Sequence, residues 1–358
     1  MIKNWISLIK RKTSIFFFNT LNGEIKLVSK KKNKNFTKIH HIKFQNSKKY
    51  RIFEMENCRM FYNKISDVAF IKNNFFLDQP SFQIRNYIHQ SSKKNFVFKN
   101  GTPSFKKKFN KTVFSTLYST AASFNYWHWI LEVLPKIALL EKLKLKKEID
   151  LFLFPSLNKN FQSESLDLLK IPKKKRLSAD KLNHIYARKF FSCDHPFIKK
   201  NQIKEDTNIP YWLINWLKKK FLKKVKRKSP INIYIDRSDS QIQNRKIINE
   251  NEIKEHLIKK KFKFIKLSDY SFKKQIELFF NAKCVIGLHG AGFVNIVFCK
   301  KGTKIVELST TGKNNPIESL AKKNSLNYYK IIPNKKKISQ RSQDVLGEYN
   351  LNLLKKLI

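Results

Sequence analysis

Cysteine, glycine, arginine and acidic side chains are all scarce in this chain of 358 residues, and each shortage removes a class of explanation. The four cysteines, Cys58, Cys193, Cys284 and Cys299, form no C-x-x-C pair and no zinc-like spacing, so they are expected to be reduced thiols. Cys193 and His195 stand two apart, but with no second such pair they do not define a metal site. Long apolar runs are also missing: the longest near the start, Ile15 to Phe18, is too short for a secretory leader or for a spanning helix of about 20 residues. Acidic residues number 26 against 75 Lys+Arg, a formal charge of +49. Such a charge suggests a polyanion partner, yet only ten of those cations are Arg, the residue suited to bidentate phosphate and base-edge contacts. Lysine instead occurs in solvated runs such as Lys30 to Lys32, Lys173 to Lys175 and Lys259 to Lys261, among abundant Asn, Ile and Phe. That is a pervasive residue bias more than a selected patch, and it leaves a surface potential favouring anionic membranes or ligands.

What is present is a core. Hydrophobic residues make up 41% of the chain, 31 of them Phe, enough for a folded protein of roughly two domains. After residue 230 strands and helices alternate. Ile231 to Asp236 reads as a strand, and Asn249 as the cap of a helix with Ile253, Leu257 and Ile258 inward. Strand Phe262 to Leu267 follows, then a helix capped by Ser271, strand Lys283 to Leu288, and a glycine turn into a helix near Gly292 to Phe298. Strand Lys304 to Leu308, helix Pro316 to Lys323 and strand Tyr328 to Ile332 complete a parallel, Rossmann-like pattern. Before it, Phe124 to Lys142 is an apolar helix interrupted at Pro135, Asp150 to Phe154 a buried strand, and Phe161 to Leu169 a helix; Phe96 to Phe98 looks strand-like. The expected division is an N-terminal α/β domain over 1–209, a connecting helix and linker over 210–229, a Rossmann-like domain over 230–335 and a helical tail over 336–358. At the N-terminus Ile2, Trp5, Ile6 and Ile9 share a helical face beside Lys3, Lys10, Arg11 and Lys12, a pattern suited either to a membrane interface or to the protein's own core.

Three clusters carry chemistry. Five of the eight glycines fall between Gly287 and Gly312, three of them in Gly287-Leu-His289-Gly290-Ala291-Gly292, between a strand and a helix where a phosphate can sit. A tight turn at a sheet edge is the plainer explanation. Arg237 and Arg245 flank a polar loop just past the first strand of that half, where α/β sheets bind ligands; a salt bridge to Asp239 or Glu250 is the alternative for either. In Asn125-Tyr-Trp-His-Trp129, followed by Glu132 and Pro135, His128 and Glu132 lie four apart on one helix face, so the carboxylate can orient the imidazole or act as a base itself; a lone His among aromatics is otherwise a core residue.

The aromatic-His-Trp-x-x-Glu-x-x-Pro element, the Arg237-(x)7-Arg245-x-x-x-Asn249-Glu250 element and the His289-Gly-Ala-Gly292-x-x-Asn295 element, in this order, resemble glycosyltransferase family 61 over roughly Val113 to Ile332. The resemblance implies a GT-B fold, two Rossmann-like domains facing a cleft, and inverting transfer from a nucleotide-sugar. It assigns Arg237, Arg245, His289, Gly290, Ala291, Gly292 and Asn295 to the donor, with Glu307 either on the ribose or capping the sheet. Glu132, in preference to His128, would take the acceptor's proton. No Asp-x-Asp triplet occurs, the nearest being Glu54-Met-Glu56, so no metal is expected; the nucleotide-sugar is a substrate and there is no cofactor. Expected partners are the donor, a glycan or lipid-linked glycan acceptor in surface, capsular or lipopolysaccharide synthesis, and peripheral contact with an anionic membrane at the cytoplasmic face. The competing readings are a basic nucleic-acid-binding protein, for which no motif exists, and a non-catalytic partner in polysaccharide assembly.

Overall fold

The computed structural model describes residues 2–27, 35–45, 49–63, 67–85, 88–119, 123–199, 202–203, 209–240, 245–313, 315–338 and 345–358. Most of the loop between Arg237 and Arg245, and the Lys30 to Lys32 run, lie outside them. The chain divides into two compact units, the first of residues 1–162 and 170–204 and the second of 163–169 and 205–358.

The first unit is built on a mixed sheet of twelve strands. Its centre is the long strand β1 (Lys49–Tyr62), flanked on one side by an antiparallel meander through Asp67–Lys72 and Phe75–Arg85. On the other side run β2 (Lys107–Ser115), β3 (Leu151–Phe154), β4 (Arg176–Ser178) and β5 (His184–Cys193). β5 pairs antiparallel with β1 and parallel with β2, and β2, β3 and β4 continue parallel. The segment Phe96–Asn100, strand-like by composition, is a helix instead. Asn95 accepts the Val97 amide and the Asp67 carboxylate accepts the Phe96 amide at 2.6 Å, local partners that favour a helix start over a ladder.

The second unit carries five parallel strands: β6 (Ile231–Asp236), β7 (Phe262–Lys266), β8 (Ala282–Leu288), β9 (Lys304–Leu308) and β10 (Asn327–Ile331). They lie in the order β7-β6-β8-β9-β10. Within the unit that is the doubly wound order 2-1-3-4-5, whose connections diverge between its first and third strands, β6 and β8. All of β8 except Lys283 is buried, as a strand covered on both faces requires. The chain is thus α/β with parallel sheets.

Several local expectations change. Ser271 caps its helix through the Lys274 amide, but Asn249 spends its side chain differently: its amide group clamps the backbone of Tyr349 in both directions, at 2.9 and 3.0 Å. Ile258 is exposed, because only Ile253 and Leu257 of that helix reach the core. Of the connecting helix and linker expected over 210–229, the helix occupies Tyr211–Phe221. The stretch over 336–358, expected as a helical tail, consists of strands Pro333–Ile338 and Val345–Tyr349 followed by helix Leu351–Leu357. Val345–Tyr349 pairs with both Pro333–Ile338 and the short strand Arg245–Ile247, and those ladder bonds outweigh the weak helix preference of a short lysine-rich segment. Among the described residues no helix is long and apolar enough to cross a membrane.

Candidate active site

In the first unit the site grows out of a helix start. Asn125 accepts the Trp127 amide at 2.9 Å and begins a turn over Tyr126–His128. Pro135 has no amide hydrogen to continue an α-helix, and the backbone meets it with a π turn over Trp129–Val133, closed by Leu134 N–H donating to the Trp129 carbonyl at 3.1 Å. Within that turn Glu132 is completely buried and holds two imidazoles. One carboxylate oxygen meets His128 Nδ1 and the other meets His195 Nε2 at 2.8 Å.

His195 follows β5 and is itself fully buried. Its neighbour Asp194 takes a two-pronged bond from the Arg51 guanidinium and a third from the Arg51 amide, which fixes the segment. The Phe197 amide donates to His195 Nδ1 at 3.2 Å, so the proton of the neutral ring stands on Nε2 and is donated to Glu132. Burial holds His195 below its ordinary pKa, in keeping with that neutral tautomer. For Glu132 burial acts upward, but the charge and hydrogen bond of His128, with the bond from His195, hold it well below the usual carboxylate range. Beneath lies Lys136, fully buried, donating to the Leu117 carbonyl at 3.0 Å and standing over the Phe82 and Tyr118 rings; burial pushes it down to about 8. The arrangement is an ionised carboxylate that orients His128, whose side chain is 14% exposed against 1% for Glu132.

In the second unit the site sits where the sheet connections diverge, past the carboxyl ends of β6 and β8. Arg237 follows β6, and its Nη1 donates to the His289 carbonyl at 2.6 Å; Arg245 Nη1 reaches the same oxygen at 3.2 Å. Among the described residues Arg237 is in no salt bridge: its other bond is to Ser240 Oγ at 3.5 Å, Asp239 acts on it through its charge while accepting the Ser268 amide at 3.1 Å, and Glu250 pairs with Lys254. Burial, and then the charge of Arg245, push Arg237 down to about 10.

Glu307, in register with Gly287 on the adjacent strand, is completely buried. Its carboxylate meets His289 Nδ1 at 2.5 Å, Asn315 Nδ2 at 3.2 Å and the Tyr328 hydroxyl at 2.5 Å. Burial acts upward on it, yet the bond from His289 leads a set of donors that hold its pKa below the ordinary value. His289 is therefore the exposed member of this pair, at 23%.

The glycines serve packing here. A Cβ on Gly287 would stand 3.0 Å from Ile235, on Gly290 3.2 Å from the Arg237 guanidinium, and on Gly292 2.6 Å from Leu267. The helix that follows, Ala291–Phe298, is a 3₁₀ helix. Asn295 is fully buried in it, donating to Gln275 at 3.0 Å.

The structure thus joins Arg237, Arg245, His289, Gly290 and Glu307 in one cluster and His128 with Glu132 in another, while Asn295 belongs to a neighbouring amide network. Sequence reasoning passed over His195 as a Glu132 partner. Its only signal was rarity, one of eight histidines, placed two residues after the end of a strand.

The family model described as Glycosyltransferase 61 matches residues 126–306, just over half of the chain, and takes in both clusters except Glu307, which stands one residue past its end. The chain belongs to that family and is a glycosyltransferase. No individual curated protein matches it.

Proposed function

We propose that this glycosyltransferase moves a sugar from a nucleotide-sugar to a hydroxyl of a glycan acceptor, with inversion and without a metal ion, in a two-domain GT-B arrangement. The observation that carries the reading is the pair of guanidiniums, Arg237 and Arg245, converging on the His289 carbonyl, with Arg237 in no salt bridge among the described residues. Two like charges held together past the strand ends of a doubly wound sheet are an arrangement that a diphosphate completes. They supply the charge compensation that transferases with an Asp-x-Asp motif take from a metal.

In the proposed step the acceptor oxygen attacks the anomeric carbon from the face opposite the diphosphate. The bond from carbon to phosphate oxygen breaks, its electron pair leaves with the nucleotide, and the acceptor's proton passes to the protein. Burial of Glu132, with both oxygens engaged by imidazoles, favours His128 as the group that takes that proton through Nε2, with Glu132 stabilising the imidazolium. The donor is assigned to Arg237, Arg245, His289 and the Gly290, Ala291 and Gly292 turn. Glu307 acts through His289, and Asn295 supports the turn from within. The acceptor in this reading is a glycan or lipid-linked glycan of surface, capsular or lipopolysaccharide synthesis, reached from the cytoplasm.

The test is thermal stabilisation by a panel of nucleoside diphosphates and nucleotide-sugars in EDTA, comparing wild type with Arg245→Ala. Stabilisation by one nucleotude family without metal, lost in the variant, supports the reading. Salt-sensitive stabilisation by oligonucleotides alone, with no response to any nucleotide-sugar, sinks it.

A further inference from the structure

Helix Ile2–Asn22 takes no part in either cluster. It packs on the first unit through a mixed side on which Ser14, Ile15, Phe18 and Asn19 are half-buried and Asn22 is buried. Asn22 donates to the Thr102 and Ser104 carbonyls at 3.3 and 3.4 Å, and Arg11 donates to Asn100 at 2.6 Å. Gly101, at φ +60°, leaves the place where the Asn19 amide sits, 2.2 Å from where a Cβ would stand. Other apolar side chains of the helix point outward: Trp5 is 69% exposed, Phe16 75%, Phe17 52%, and Ile9 and Leu21 about half.

At 100° per residue Trp5, Ile9 and Phe16 fall within about 40° of one another. Phe17 stands about 80–120° round from that stripe, and Phe105, 73% exposed, packs beside it, 6.4 Å from Phe17 and 5.3 Å from Phe18. An exposed apolar stripe of this kind marks an interaction surface. Its charge tells the partner's sign: Lys3, Lys10, Arg11 and Lys12 lie on the helix with no acidic residue, in a chain of net charge +49. A second copy of the chain would bring the same charges together, whereas an anionic lipid surface neutralises them.

We propose that this helix lies in the interface of an anionic phospholipid bilayer, with Trp5, Ile9 and Phe16 inserted below the headgroups, Phe17 at their edge, and Lys10 and Lys12, on either flank of the stripe, on their phosphates. Insertion of the aromatics makes the contact more than a general attraction by lysine. The inference stands apart from the sugar-transfer reading, since it uses no residue of either cluster.

The test is co-sedimentation of the full chain with vesicles of phosphatidylcholine alone and of phosphatidylcholine containing phosphatidylglycerol. Wild type is expected to bind the anionic vesicles, with a blue shift in emission from Trp5, the most exposed of the tryptophans with described side chains. Phe16→Ser/Phe17→Ser, which alters only exposed positions and should melt like wild type, is expected to weaken partitioning by roughly tenfold per phenylalanine. Equal binding by wild type and variant overturns the proposal in favour of diffuse charge. Absence of vesicle binding overturns it too, as does a dimer that the double substitution dissolves in place of any lipid contact.

Discussion

Replacing Arg237 by Met should weaken ligand binding without weakening the empty protein, a combination that separates an anion site from a structural clamp. Arg237 is pushed down to about 10 from 12.5, first by burial and then by Arg245. A depression of that size disfavours the charged form by roughly 3 kcal/mol, and partial exposure trims this to about 2 kcal/mol. In the empty protein the substitution removes that cost together with the bond to the His289 carbonyl, a neutral acceptor whose hydrogen bond is worth about 1 kcal/mol net. The melting temperature should stay level or rise. With a nucleoside diphosphate bound, the lost charge-assisted bond is worth about 1.5–3 kcal/mol, a ten- to hundredfold rise in Kd. Ligand at about a hundredfold over the wild-type Kd stabilises wild type by about 2.7 kcal/mol, a shift of roughly 5–10 °C. At the same concentration a variant with thirtyfold weaker affinity gains only about 0.9 kcal/mol, or roughly 2–3 °C. An empty variant that melts several degrees lower yet keeps the full ligand shift refutes the reasoning and makes Arg237 a strut of the glycine turn.

His128→Ala is expected to lower turnover by roughly a hundredfold or more while donor affinity, read by the same thermal shift, stays within about twofold; unchanged turnover removes His128 from the chemistry. Glu307 has its pKa lowered in the folded state, so its contribution to stability is present above its ordinary value of 4.5 and is lost as pH falls through the folded value. Glu307→Gln should therefore cost about 1–3 kcal/mol at neutral pH and flatten the acid limb of stability below about pH 4.5, as read by denaturant unfolding. Lys136 behaves in the opposite window. Its folded pKa of about 8 against 10.5 means the unfolded chain binds more protons between those values, so stability rises with pH there. Lys136→Met should abolish that rise, and a rise of equal size in the variant assigns it to other lysines.

The second unit was largely legible in the sequence because its central strands β6, β8 and β9 are largely buried runs rich in Ile and Val, and Ser271 and Pro316 mark helix starts with local chemistry. The first unit hid more. β1 runs for 14 residues, but Glu54, Glu56, Asn57 and Arg59 interrupt its alternation, and neighbouring strands, invisible locally, supply the ladder. Strand Pro333–Ile338 is half lysine and is held by pairing with Val345–Tyr349. At the sites, sequence spacing placed His128 beside Glu132 and drew Arg237, Arg245 and His289 toward one crevice. His195 lies 63 residues from Glu132, and only the pairing of β5 with β1 and β2 carries it there. The glycines also have a packing role that spacing did not show, because their missing side chains make room for Ile235, Arg237 and Leu267.

The strand Val345–Tyr349 gives the anion cluster a dependence on the order of synthesis. Arg245 opens a short strand whose ladder partner is Val345, and Asn249 clamps Tyr349. Both partners lie beyond the segment matched by the family model. A nascent chain that has emerged only as far as β10 has all five parallel strands and both arginines, but lacks the ladder and the clamp that hold the strand of the second arginine. The ribosome must therefore translate through Tyr349 before that strand is held, so the proposed donor site is completed only near the end of synthesis, well after the sheet that carries it.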